Sequence, residues 1–237
     1  MQQQSIKSGK SNLKWIYVVI IFLSLIGVGI VGRRTWKLVP VLTNGFQAHK
    51  PQANANLEQL AATDDIFARY PVLTLVHILP GLVFILLAPF QFSKKIRESN
   101  IARHRRSGRV VLVSGLIAGI TAFIMSLAMP SIGGVNQAAA TLLFSIFFLF
   151  ALSKAYLLIR KGNSTLHREW MIRAYAIGLA VTTIRPIVGI FFATSKLSGL
   201  TPYEFFGTAF WVGFVLHLIA AEVWINKTRQ VVPGQLL

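Results

Sequence analysis

Six long apolar runs constrain the fold of this chain more than any other feature of its sequence. A helix of about 20 apolar residues crosses the hydrocarbon core of a bilayer and satisfies its backbone hydrogen bonds internally. The chain is 54% hydrophobic, which is too apolar for an ordinary soluble domain. The sequence therefore predicts an all-α integral membrane protein with six transmembrane helices. The predicted spans are residues 15–32, 71–92, 110–129, 135–158, 170–194 and 205–225.

Polar segments between these runs divide the chain into four parts. Residues 1–33 are predicted to form an N-terminal tail and the first helix. Residues 34–70 form an outer loop that contains an amphipathic surface helix. Residues 71–226 form a five-helix membrane domain, and residues 227–237 form a C-terminal tail.

Positive charge is concentrated on one side of the predicted bundle. The chain has 24 Lys and Arg against 7 Asp and Glu, and basic loops, Lys94–Arg109 and Arg160–Arg173, follow the second and fourth spans. Such loops stay in the cytoplasm and face anionic lipid head groups. We therefore expect both termini to lie in the cytoplasm. We expect the partner of these loops to be the bilayer and not nucleic acid; the oligomeric state is left open. Arg33, Arg34 and Lys37 are exceptions, because they follow the first span on the outer side.

A repeat links the two basic loops. Residues 96–105, IRESNIARHR, match residues 159–168, IRKGNSTLHR, at five positions without a gap, and the same register aligns Gly115 with Gly178. Each copy joins an inward helix to an outward helix, so the copies are parallel repeats related by a pseudo-twofold axis along the membrane normal. This pattern predicts a four-helix core built from two parallel helix-hairpin repeats. The repeats cover about residues 71–129 and 135–194.

Two histidines occupy equivalent positions of the repeat. A pseudo-twofold axis would place His104 and His167 at equal depth at the cytoplasmic boundary, where two facing imidazoles could ligate a metal ion or the iron of haem b. Alternatively, each histidine and its neighbouring arginines bind lipid phosphate at the membrane edge. The basic candidates at this boundary are Arg105, Arg109, Arg168 and Arg173.

Three more candidates, His77, His217 and Arg185, are ionisable side chains well inside predicted spans, where such residues are costly and mark functional sites. His77 and His217 are candidates either to bind the cofactor or to form hydrogen bonds with neighbouring helices. Arg185 lies deep in the fifth span. It either faces an aqueous cavity that admits an anion, pairs with an outer carboxylate, or has a purely structural role.

The remaining candidates are polar groups near these residues. Glu169 either orients an imidazole or forms a salt bridge, and Glu222 is the acidic residue inside the sixth span. Gln91 and Tyr175 are candidate supporting groups. The chain has no cysteine, which excludes disulfides, thiolate metal sites and cysteine nucleophiles. It also has no catalytic triad and no phosphate-binding glycine loop, so the sequence indicates no particular reaction.

The order of these motifs resembles a bacterial multi-pass membrane family, domain of unknown function 2306 (DUF2306). The resemblance covers about residues 71–225, and the two His-Arg motifs in order are its specific part. The motif residues are His77-x-x-x-Gly81, Gln91, His104-Arg105-x-x-Gly108-Arg109, His167-Arg168-x-Trp170-Met171-Ile172-Arg173-x-Tyr175-Ala176 and Arg185. This resemblance implies a protein of the bacterial plasma membrane.

The helix pattern is also loosely similar to that of cytochrome b561-type proteins, which hold haem between histidines on a four-helix core. Those proteins pair histidines at two depths. This chain has Ala140 at the repeat position of His77, so an outer haem lacks its second ligand.

Three hypotheses about function result from these observations. The first is a membrane protein that binds haem b or a metal through histidines at the cytoplasmic boundary for electron transfer. The second is a small permease with a cavity near Arg185 and His217. The third is a non-catalytic assembly protein or lipid-binding protein of the membrane.

Overall fold

The fold is a bundle of long helices. The computed structural model describes residues 3–51 and 55–229, with side chains for residues 15–51, 58 and 61–229. The helices are α1 (Gln3–Asn44), α2 (Ala55–Ala68), α3 (Pro71–Gln91), α4 (Lys94–Ser99), α5 (Ile101–Ala128), α6 (Gly134–Arg160), α7 (Ser164–Ser198) and α8 (Pro202–Thr228). The predicted tails at residues 1–2 and 230–237 lie outside the described residues.

Six of these helices are long and apolar enough to cross a membrane: α1 from Trp15 onward, α3, and α5 to α8. This confirms the predicted fold class. Large apolar side chains on their outer surfaces, such as Ile120 and Ile190, are exposed, as lipid-facing residues are. The helix α4 and the turn between α6 and α7 lie at one end of the bundle, which we call the basic end. The helix α2 lies at the opposite end.

Each copy of the repeated motif starts a helix at the basic end. Asn100 caps α5 by accepting a hydrogen bond from the backbone N–H of Arg103 at 2.8 Å, and Asn163 caps α7 through the N–H of Leu166 at 3.0 Å. An asparagine in this position satisfies one of the free N–H groups of the first turn. The helices therefore begin before the apolar runs, and both motif histidines lie near the helix starts.

The first helix is longer than its apolar run. The sequence predicts a loop from residue 34, whereas α1 continues to Asn44 with Pro40 inside it. The polar extension lies against α2, where it finds a carboxylate partner for its cations. The predicted outer loop is therefore the end of α1, residues 45–51 and α2. The region contains a helix, as expected, and its amphipathic character stays a prediction.

Four helices form the centre of the bundle. The helix α3 packs on α5, α5 on α6, α6 on α7, and α7 on α3; α1 lies against α3 and α7, and α8 lies against α6 and α7. That this core arose from a doubled hairpin stays a prediction.

A buried phenylalanine joins the two glycines that the repeat register aligns. The ring of Phe84 is 1% exposed, and a Cβ atom at Gly115 or Gly178 would lie 2.9 or 2.8 Å from it. The two glycines thus leave space for one ring between α5 and α7, which brings α3 close to both helices. This packing positions the residues of α3 and α7 that line the cavity described next.

Candidate functional site

A cavity of about 260 Å³ lies inside the bundle, towards the end that carries α2. All six spanning helices and α2 contribute to its wall. Most of the wall is apolar, but Arg34 of α1, His77 of α3 and Arg185 of α7 also line it. Ionisable groups at membrane depth are retained where they serve a function, so these three side chains make the cavity the principal candidate site.

Arg185 has no counter-charge in the part of the chain that the structure describes. Its guanidinium makes no hydrogen bond or ion pair there, and its nitrogens are not enclosed but open into the cavity. The charges that act on it come from Arg33 and Arg34, which have the same sign. Of the alternatives that the sequence leaves open, the structure therefore places Arg185 at a cavity and not against an outer carboxylate.

A single carboxylate binds the three cations of α1 that the sequence leaves unexplained. Asp64 of α2 accepts hydrogen bonds from Arg33 at 2.8 and 3.1 Å, from Lys37 at 2.5 Å and from Arg34. Arg34 is only 7% exposed, and its guanidinium lies 4.2 Å from the ring centre of Phe67. The basic residues after the apolar run of α1 are thus held by a carboxylate of the helix that packs beside them.

Together these groups form what we call the cationic cluster: Arg33, Arg34, Lys37, Asp64 and Arg185. Four cations against one carboxylate leave it with a net charge of +3. Burial alone would raise the pKa of Asp64, but hydrogen bonds from Lys37 and Arg33 and the charge of Arg34 hold that pKa below its usual value. The carboxylate is therefore ionised at neutral pH and still does not balance the cluster.

The two histidines within the spans have different surroundings. The ring of His77 donates Nδ1–H to the carbonyl oxygen of Ala118 at 3.0 Å, which leaves Nε2 as an acceptor at the cavity wall. His217 does not line the cavity. Its Nε2 is hydrogen-bonded to Thr183 Oγ1 at 2.7 Å. The cavity therefore involves Arg185 but not His217, in contrast to the permease hypothesis as the sequence suggested it.

Four hydroxyl groups of the cavity wall are already hydrogen-bonded within their own helices. Ser126 donates to the carbonyl of Phe123 at 2.7 Å, Thr141 to that of Gln137 at 2.9 Å, and Ser145 to that of Leu142 at 2.8 Å. Thr182 donates to Leu179 in the same manner. Thr74 donates to the carbonyl of Phe67 in α2 at 3.3 Å. Since each hydroxyl has one hydrogen to donate, the donors left at this wall among the described residues include the guanidinium of Arg185 and the amide NH2 group of Gln137, whose Oε1 accepts from the N–H of Gly133.

His104 and His167 lie near the starts of α5 and α7, at the basic end. His167 donates Nδ1–H to the carbonyl of Ala155 at 2.8 Å, whereas Nδ1 of His104 is enclosed and has no hydrogen-bond partner. The two imidazoles are close enough to act on each other electrostatically, and Arg97 acts on His104. Within the described residues, no group of three or more His, Cys, Asp or Glu side chains could hold a metal ion. A cofactor shared by these two histidines stays a prediction.

The acidic candidates at the basic end form ion pairs between α7 and the end of α8. Glu169, which is 3% exposed, accepts two hydrogen bonds from Arg229 at 2.9 and 3.0 Å. Glu222 accepts two from Arg173 at 2.6 and 2.9 Å. Of the two roles that the sequence left open for Glu169, the structure supports the salt bridge. These pairs tie α8 to α7 and leave neither carboxylate free for chemistry.

The other candidates at this end have supporting contacts or none. Gln91 donates to Ser107 Oγ at 2.8 Å, Arg168 donates to Thr228 Oγ1 at 3.1 Å, and Tyr175 donates to the carbonyl of Ile85 at 3.5 Å. Arg105 and Arg109 are exposed on α5. Sequence reasoning noted Arg34 only as an exception to the charge rule and missed its place in the cavity wall. The signal that could have found it was Asp64 within the outer segment.

The fold and the site together define a six-span membrane protein with a cationic cavity inside its helix bundle. A family model described as a predicted membrane protein (DUF2306) matches residues 74–225, and the chain belongs to this family. His77 and Arg185 lie within the matched region, whereas Arg34 and Asp64 lie before it. Comparison with curated proteins and with solved structures returns no match, so the looser resemblance to cytochrome b561-type proteins has no support.

Proposed function

We propose that the protein is a small permease that binds an anion in the cavity beside Arg185. The observation that supports this proposal concerns Arg185, which lies on a membrane-spanning helix. Its guanidinium faces the cavity and has no counter-charge among the described residues. An uncompensated arginine at the centre of a membrane helix costs about 3 kcal/mol. A bound anion would remove this cost, and it would also reduce the repulsion from Arg33 and Arg34.

We also propose an orientation for this permease. Exposed lysines and arginines are concentrated at the basic end, on α4 and the first turns of α5. We assign this end to the cytoplasmic face of a bacterial plasma membrane, where anionic lipid head groups would contact it. The termini would then lie in the cytoplasm, and the cavity would lie in the outer half of the bilayer.

The natural absence of cysteine allows a direct test of whether the cavity admits anions. In the variant Ser126→Cys, the new thiol lines the cavity. We expect a methanethiosulfonate reagent with a sulfonate group to label it faster than one with a trimethylammonium group, by about tenfold or more, because a charge about 8 Å away changes the energy of an ion by about 2 kcal/mol at an effective dielectric constant of 20. The ratio of the two rates in lipid nanodiscs is the measurement.

Three controls make the result specific to Arg185. The variant Leu127→Cys places the thiol on the adjacent residue, which is 64% exposed and outside the cavity wall, so it should show a much smaller preference. Adding Arg185→Met to Ser126→Cys should remove most of the preference, whereas adding Arg103→Gln, at the exposed basic end, should not. No labelling of Ser126→Cys, or a preference that survives Arg185→Met, would contradict the proposal.

A second candidate function is electron transfer through haem b or a metal at the basic end. The observation that favours it is the enclosed Nδ1 of His104, which has no partner, near His167. The hydrogen bond from His167 Nδ1 to Ala155 leaves Nε2 free to act as a ligand, as in many metal sites. His104 and His167 would hold the group, haem would supply a one-electron redox centre, and the positive charges of Arg97 and Arg105, which act on His104, would favour its carboxylates.

An optical spectrum with metal analysis tests this second candidate. We expect an absorption band in the purified protein that is lost in His104→Ala or His167→Ala. His49→Ala should retain it, because His49 lies outside the spans and pairs with Asp65 and Glu58. A colourless, metal-free wild-type preparation would exclude the candidate.

A further inference from the structure

We infer that the anion in the cavity is an amphiphile with one small acidic head group on a single apolar chain or ring. This inference depends on the anion site at Arg185 and names the class of molecule that the site would take. It follows from the chemistry of the wall, from the volume of the cavity and from the position of the cations.

The wall is suited to an apolar body. Six phenylalanine side chains contribute to it, namely Phe67, Phe84, Phe144, Phe148, Phe210 and Phe214. Most of the hydroxyl groups on the same wall donate their hydrogens to backbone carbonyls. A sugar or another polyhydroxylated ligand needs many partners, and this wall would leave its polar groups unpaired at a cost of about 1–3 kcal/mol each. A hydrocarbon chain or ring loses no such hydrogen bonds.

The volume restricts the size of this body. The cavity measures about 260 Å³, whereas pockets for drug-sized molecules measure about 300–1,000 Å³. The space is therefore too small for a phospholipid with two acyl chains, and it suits one short chain or one ring system. The molecule we infer is a free amphiphile and not a structural lipid of the bilayer.

The head group is defined by two arginines. Arg185 and Arg34 both line the cavity and act on each other electrostatically. Arg34 already shares Asp64 with Arg33 and Lys37, while Arg185 has no partner among the described side chains. A planar guanidinium binds a carboxylate or phosphate through two parallel hydrogen bonds, so one acidic group beside Arg185 would complete the cationic cluster. A cationic head group would be repelled.

Protection of the cavity thiol tests this class of ligand. The probes are decanoate, decanol and acetate, which supply the whole amphiphile, the chain without charge, and the charge without a chain. We expect decanoate at about ten times its Kd to slow the labelling of Ser126→Cys about tenfold, since about a tenth of the sites remain free. Decanol and acetate at the same concentration should leave the rate nearly unchanged. Leu127→Cys, on the adjacent residue, corrects for effects of decanoate on the bilayer surface.

The outcomes separate the class of ligand from the proposed function. Equal protection by acetate would replace the amphiphile with a small hydrophilic anion, and the anion site would stand. Equal protection by decanol, or protection by decanoate that persists in Arg185→Met, would show that the head group is not recognised and would overturn the inference. No protection by any probe, with the anion preference intact, would also overturn it. Loss of the preference itself would remove the proposed function as well.

Discussion

Replacing Arg185 with methionine is expected to stabilise the ligand-free protein by about 2–3 kcal/mol. The physical reason is that the arginine carries a charge at membrane depth without a partner among the described residues, and insertion of an arginine at the centre of a membrane helix costs about 2.5–3.5 kcal/mol. Methionine retains an unbranched apolar stem and removes the charge. The same substitution should abolish anion binding, so stability and function would change in opposite directions.

A second arginine on the same helix provides the matched control. Arg173 forms two hydrogen bonds with Glu222, so Arg173→Met should destabilise the protein by about 1.5 kcal/mol, the lower end for hydrogen bonds between charged groups. Both variants lose one arginine from α7 and differ mainly in whether a partner is left behind. The measurement is the free energy of unfolding in mixed micelles, taken from the denaturing-detergent midpoint of each variant relative to the wild type.

The opposite result would assign Arg185 a structural role. If Arg185→Met lowers the free energy of unfolding by about 1 kcal/mol or more, the guanidinium holds the bundle together through contacts that a partnerless side chain would not make. The anion site would then lose its main support. A rise in stability without any loss of the labelling preference would instead show that the cavity charge comes from Arg34 and its neighbours.

The spans and the class of protein can be predicted from sequence because they depend on local composition. An apolar run of about 20 residues has few alternatives to a membrane helix. The repeat is also local in its effect, since Asn100 and Asn163 cap two helices at matching positions. Helix ends are harder to predict, because polar residues continue a helix where a cap or a neighbour satisfies them. The end of α1 shows this, since its cations meet Asp64 of α2.

The cavity could not be predicted because it depends on how seven helices pack. Arg185 is recognisable in the sequence as a costly residue, but its lack of a partner depends on which carboxylates reach it. Asp64 lies in the outer segment that could have supplied a counter-charge for Arg185. Instead it binds three cations of α1, which follow the apolar run of that helix. His217 was likewise expected near the cavity but is hydrogen-bonded to Thr183. Which side chains pair with one another depends on contacts between helices, and these contacts leave no periodic signal in a single sequence.

Asp64→Asn is expected to lower the free energy of unfolding by about 3 kcal/mol. The substitution leaves the buried Arg34 without its anion, and breaking a buried ion pair by removing one partner costs about 3–5 kcal/mol. Arg33 and Lys37 are more exposed and should add little. Asp65→Asn is the matched control, since the adjacent carboxylate pairs with the more exposed His49 and should cost about 1 kcal/mol or less.

The loss of stability in Asp64→Asn should be largest at α2, and the contribution of Asp64 should depend on pH. Because the pKa of Asp64 is held below its ordinary value, this carboxylate stabilises the fold above about pH 4, and the contribution is lost as pH falls through the lowered pKa. The protection factors of the amides of Ala55–Ala68 should therefore fall below about pH 4 in the wild type. In Asp64→Asn, exchange of this helix should be fast already at pH 7. Slow exchange in Asp64→Asn at pH 7 would show that apolar packing, and not the carboxylate, holds α2.

Asp64 also connects the stability of this end of the bundle to its affinity for anions. Removing the carboxylate raises the net charge of the cationic cluster from +3 to +4, with Arg34 then free to face the cavity. Decanoate should therefore bind Asp64→Asn more tightly, by about tenfold for about 1.4 kcal/mol of added attraction, even though the variant is less stable without ligand. If Asp64 had only a structural role, its removal would lower stability and leave the affinity for decanoate unchanged. Equal or weaker protection of Ser126→Cys by decanoate in this variant would show that Asp64 does not compete for the arginines that the ligand uses.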